Sequence, residues 1–213
     1  MTVVFRALTA VCAVAGIVFL LVWNHGDLGA FVYFTVQSSV VIAVVSAVAV
    51  FRAVPAPIRG AATLYSVITG TVYHALLANP SSPFYQEDSG AHTVHNLLLH
   101  TVTPILAAVT WLVIERERVR WWLAAVWLAY PLAYLVFALV RGAFVHEYPY
   151  PFVDLDKEHA LGVTRNSIGF TLAFFLLGLL LIGLGALLRR VLPGAREPGA
   201  SDEDTRVEDP ARV

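Results

Sequence analysis

Only one cysteine, Cys12, occurs in the 213 residues, so no disulfide can form within the chain and its thiol reveals nothing about a redox compartment. Charge is scarce as well. Asp, Glu, Lys and Arg make up 14% and sum formally to −1, which leaves no basic excess to attract nucleic acid. The G-x-S-x-G elbow, the H-E-x-x-H helix, the C-x-x-C pair and a rhomboid-like Ser–His motif are all missing, which sets aside the soluble hydrolase and zinc-protease templates. The polar stretches between apolar runs are short, so a separate soluble domain has no room.

What fills the chain instead is hydrocarbon. Hydrophobic residues account for 58% and the mean hydropathy is +0.72, well outside the soluble range. A membrane span needs about 20 apolar residues, and six runs qualify, at 5–23, 31–51, 59–78, 92–114, 121–140 and 163–188. They predict an all-α, polytopic six-helix transmembrane domain over 1–190, embedded in the cell membrane. The first run is too long for a signal peptide and no convincing cleavage site comes after it, so it is expected to stay. The tail 191–213, "REPGASDEDTRVEDPARV" with the residues before it, is rich in charge, Pro and Gly and is expected to be disordered.

Assigning alternate loops to alternate sides puts Arg6, Arg52, Arg59, Arg116, Arg118, Arg120, Arg189 and Arg190 on one face and only Arg141, Lys157 and Arg165 on the other. The positive-inside rule then places both termini in the cytoplasm. Histidine sorts the opposite way. His25, His74, His92, His95, His100, His146 and His159 all fall in outer loops or the outer halves of spans, joined by Thr35, Gln37, Ser38, Tyr73, Asn79 and Asn96. Polar groups at membrane depth are costly unless they face a bundle interior or a wet cavity, so a polar chamber open to the outer side is expected. For His25, His146 and His159, exposure in loops is explanation enough.

Within "HTVHNLLLHTVTP", His92, Asn96 and His100 recur every fourth residue and share a helix face. Antiparallel geometry brings Thr35, in "FVYFTVQSS", down from the same side to a comparable depth. A threonine hydroxyl becomes a nucleophile when a neighbouring base takes its proton, and histidine is the usual base. Spacing alone favours a plainer role, since membrane threonines commonly bond a carbonyl one turn back or glue helices together. A non-enzymatic scaffold or carrier therefore stays open, as does a haem or metal site on His74 and His100 with His92 and His95 near by. The loop "RGAFVHEYPYPFVDLDKEH" contains Pro149 and Pro151, which cannot continue a helix. Its Tyr148, Tyr150 and Phe152 suit an interfacial aromatic belt, or a lid over the chamber with Arg141 attracting a carboxylate.

The order of "FVYFTVQSS", "ITGTVYHALL", "VHNLLLHTVTPIL", "WLAYPLAYLVFALVRG" and "YPYPFVD" resembles the six-span androgen-induced and FAR-17a-like membrane proteins, over about residues 28–170. The likeness is greater to their bacterial relatives. Characterised animal members are threonine hydrolases of fatty acid esters of hydroxy fatty acids, with an intramembrane Thr and His as the essential pair. The resemblance implies that Thr35 in "YFTVQ" is the nucleophile and that His100 in "NLLLHTVTP", with Asn96 one turn earlier, is the base. Tyr150, Pro151 and Phe152 match the family's outer-loop motif. On this reading Asn96 or Gln37 orients the histidine or donates to an oxyanion, while His74 and Tyr73 line the pocket. The expected partners are a lipid-like ester and the bilayer, with no cofactor.

Overall fold

The computed structural model describes residues 1–86 and 93–192. His92 and nearly all of the tail expected at 191–213 lie outside them. Among the described residues every regular element is helical. Helix α1 spans Thr2–Trp23. A short 3₁₀ turn at Leu28–Val32 leads into α2, Phe34–Phe51. Helix α3, Ala56–Val72, starts after Pro55 with a second proline in its first turn, where a missing N–H is harmless. It widens into a π turn at Tyr73–Leu77. The next rod is composite, with α4 at Val94–Leu97, a π turn at Leu98–Val102, α5 at Thr103–Val109 and a second π turn at Thr110–Glu115. Helices α6, Leu123–Val126, and α7, Ala129–Val145, form another rod. Helix α8, Leu155–Val191, is broken by a kink at His159 (φ 54°); its short first segment lies ahead of the apolar run at 163 and is capped by Asp154, which accepts from the N–H groups of Asp156 and Lys157.

Five of these rods, Thr2–Trp23, Phe34–Phe51, Val94–Glu115, Leu123–Val145 and Leu155–Val191, are long and apolar enough to cross a bilayer. This is a multi-pass helical membrane protein. The third expected span, 59–78, is helical too, but its α segment is shorter and more polar. The reason is its position. Helix α3 sits between α2, α5 and α8 and buries Gly60, Thr63, Leu64, Tyr65, Ser66, Ile68, Thr69 and Gly70, so most of its length faces protein and not lipid. The Thr69 hydroxyl is satisfied there, Oγ1 donating to the Tyr65 carbonyl and meeting Ser38 Oγ of α2 at 2.8 Å. Close approach depends on glycine, since a Cβ on Gly60 would lie 2.6 Å from the Trp127 ring.

A buried ionic network lies at one end of the bundle. Glu115, only 3% exposed in its side chain, pairs with Arg6 Nε at 2.7 Å and Arg59 Nε at 2.8 Å. Arg59 also pairs with Glu117, Arg189 donates to the Glu117 carbonyl, and Arg6 donates to the Ala49 carbonyl at 2.7 Å. The starts of α1 and α3 and the ends of α2, the composite rod and α8 thus meet there. Thr35, Tyr73, His100 and Tyr150 lie toward the opposite end.

Candidate functional site

The site forms where the start of α2, the end of α3 and the first π turn of the composite rod converge. Pro104 explains the π turn. Lacking an N–H, it cannot bond the carbonyl one turn earlier, which belongs to His100, and its ring would clash with that oxygen in a regular helix. Widening the turn over Leu98–Val102 accommodates both effects. The displaced His100 carbonyl lies against Gly70 of α3, where an added Cβ would be 2.9 Å from that oxygen and 3.1 Å from Pro104 Cβ. Both obstacles are backbone or ring atoms that cannot swing aside. Gly70→Ala is therefore expected to destabilise the fold by about 1–3 kcal/mol, measured as a lower thermal midpoint in detergent, whereas Gly183→Ala, with open space around it, should not.

Thr35 Oγ1 is 3.2 Å from His100 Nε2. The other ring nitrogen, Nδ1, is 3.3 Å from the Asn96 carbonyl, which can only accept, so Nδ1 carries the proton and Nε2 presents its lone pair to the hydroxyl. Tyr73 stacks on the His100 ring at 4.2 Å and 28°, and Asn96 Nδ2 donates to Tyr73 Oη at 2.6 Å. From the outer loop, Tyr150 Oη accepts from the Thr35 N–H at 3.3 Å and lies 3.4 Å from Thr35 Oγ1. Burial pushes the Tyr150 phenol above its ordinary range, partly offset by its hydrogen bonds with Thr35. It keeps its proton and remains a donor.

Other threonines behave differently. Thr9, Thr69, Thr110, Thr164 and Thr171 each donate to the carbonyl four residues back, the ordinary membrane-helix habit. Thr35 does not. It stands in the first turn of α2, and the carbonyl four residues earlier, on Phe31, is taken by Gln37 Nε2 at 2.8 Å. Its hydroxyl is left to face the histidine.

A cavity of about 80 Å³ opens in front of this pair, lined by Thr35, Tyr73, His100 and Tyr150 on one side and by Ile68, Leu135, Phe170 and Phe174 on the other. Phe152 and Val153 of the outer loop complete its wall. The loop reaches it because Gly142 leaves room for the Tyr148 ring, which a Cβ would strike at 2.0 Å, and because His146 turns the chain with a positive φ of 56°. Asn166 Nδ2 then holds the Phe152 carbonyl at 3.1 Å. Asn166, Ser167 and Thr171 escaped the sequence reading; three polar residues near the start of an apolar run were the available signal.

Three expected site residues lie elsewhere. Gln37, two positions beyond Thr35, points around the helix, with its Oε1 accepting from Tyr130 Oη at 3.1 Å, so it neither orients His100 nor reaches the cavity. Asn96 orients His100 through its carbonyl and not through its amide. His74 is exposed, 2.9 Å from Thr101 Oγ1, and does not line the cavity. Arg141 donates to the Glu147 carbonyl at 2.7 Å and pairs with its carboxylate at 3.3 Å, in a separate depression shared with His25 and Asp27. His25, His146 and His159 are exposed in or beside loops, and His95 meets Thr93 and the Trp23 ring. No cluster of three or more His, Cys, Asp or Glu with metal-site geometry occurs among the described residues.

Comparison with protein-family models, curated proteins and solved structures finds no match.

Proposed function

We propose that this chain is an integral-membrane hydrolase of long-chain acyl esters, such as fatty acid esters of hydroxy fatty acids, related to the androgen-induced threonine hydrolases. It would cross the membrane six times, α3 included, with the arginine-rich end and both termini in the cytoplasm. One observation carries the reading: Thr35 Oγ1, free of the usual backbone bond, lies 3.2 Å from a histidine nitrogen whose tautomer makes it a base.

Thr35 Oγ1 attacks the ester carbonyl carbon while its proton passes to His100 Nε2. Collapse of the tetrahedral intermediate breaks the bond to the alcohol oxygen, which takes the proton from His100 and departs. Water then attacks the acyl-threonine, again giving its proton to His100, and Thr35 leaves with that proton as the fatty acid is released. Tyr150 Oη, 3.4 Å from Thr35 Oγ1, would donate to the oxyanion, the part expected of Asn96 or Gln37.

Esterase assays in nanodiscs, read as fatty acid release from a panel of acyl esters, test the proposal; activity unaffected by Thr35→Ala would refute it. Tyr150→Phe keeps the ring stacked on Phe152 at 5.1 Å and removes only the hydroxyl. It is expected to lower kcat about 10²-fold, the usual effect of one lost oxyanion donor, with KM little changed.

A further inference from the structure

A second, apolar groove lies on the outside of the bundle between α3 and α8. Thr71 and Ala75 line it on one helix, Ala173 and Leu180 on the other, and it offers about 400 Å³. It is not isolated. Val72, Phe170 and Phe174 line both this groove and the Thr35–His100 cavity, so the two spaces share one wall of three side chains.

Its level in the membrane is set by α8. Phe170 and Leu180 stand nineteen and nine residues before Arg189, which belongs to the arginine-rich end. At 1.5 Å per residue the groove runs from roughly 14 to roughly 28 Å above that end, in the far half of a hydrocarbon core about 30 Å thick. The occupant must be thin. A partner helix is about 10–12 Å across and could cover the groove without passing the wall, whereas a single hydrocarbon chain is thin enough to lie in the groove against Val72, Phe170 and Phe174. Lipid tails are as apolar as the groove itself, so burial alone does not draw a chain in. What the groove adds is placement, because a chain lying there brings its own carbonyl toward Thr35.

We propose that this groove is the acyl-chain subsite, filled sideways from the leaflet opposite the arginine-rich end, with Val72, Phe170 and Phe174 as its gate. This rests on the hydrolase reading above. Ala173 is exposed in the groove, and a bulky side chain there would fill it. Neighbouring Leu172, 57% exposed and lining neither space, supplies the control. In nanodiscs, Ala173→Trp is expected to cut turnover of a hexadecanoyl ester at least about tenfold and to leave a butanoyl ester within about twofold, the scale on which pocket contacts discriminate chains. Leu172→Trp should change neither. Equal effects on both esters, or none, would overturn the subsite.

Should the wild type hydrolyse no ester at all, the hydrolase reading fails and the groove is judged separately. A hexadecanoyl probe with a diazirine near its carboxyl end should then cross-link to Val72 or Phe174, and Ala173→Trp should abolish that cross-link. Its absence in the wild type, or its persistence in the variant, would overturn the groove as a chain-binding site.

Discussion

Thr35→Ala is expected to abolish ester hydrolysis and fluorophosphonate labelling together, with kcat falling by at least about 10³-fold. The side chain lies half-buried at the cavity wall, so its truncation removes little packing and the protein should purify normally. His100→Ala should fall to a similar level, and the double variant should be no worse than either single one, because nucleophile and base act as a unit. Thr35→Ser separates chemistry from position. It keeps the hydroxyl but lacks the branch that fixes χ1, so it should retain measurable turnover with lower kcat. Persistent labelling in Thr35→Ala would assign the nucleophile elsewhere and leave the Thr35–His100 bond as a structural contact.

The largest stability effect is expected at Glu115. Its two carboxylate oxygens hold Arg6 and Arg59 at 2.7 and 2.8 Å, and those arginine side chains are themselves only 19% and 11% exposed. Removing the carboxylate leaves Arg6 without a carboxylate partner and Arg59 with Glu117 alone, with little water to screen either charge. Breaking a buried pair in this way costs about 3–5 kcal/mol, so Glu115→Ala should unfold far below the wild type in a detergent thermal scan. Glu115→Gln keeps the shape and loses the charge, and should fall between them. Because the network lies at the end away from Thr35, any Glu115→Gln protein that remains folded should bind and turn over ester with an unchanged KM.

Hydropathy was a sound guide wherever a helix faces lipid, as with α1 and α8, because there the solvent selects the residues. It was weaker for α3, whose Thr63, Ser66 and Thr69 answer to neighbouring helices and not to lipid. Thr35 and His100 stood out through polarity at depth, the spacing from Asn96 and the family resemblance, and the structure brings them together. The π turn that aims His100 was announced only by Pro104. Gln37, His74 and Arg141 shared the chamber's side of the membrane but not its helix face. Sorting residues by side carries no angular information, and a π turn shifts the phase of every residue beyond it. The Tyr150 contact needed a loop that doubles back, and its geometry depends on Gly142 and the Asn166 tie.

The one-sided placement of the buried ion pairs has a mechanical consequence. Arg6, Arg59, Glu115, Glu117 and Arg189 fasten four helices at a single level, whereas the distant end is joined by solvent-exposed pairs such as Arg141–Glu147 and His146–Asp156 and by aromatic contacts and hydroxyl bonds that are individually weak. The bundle is accordingly braced more firmly at the Glu115 end than at the Thr35 end. A tilt of a few degrees about that level, carried along a lever of about 30 Å, would part the far tips by about 2 Å while the ionic network stayed intact.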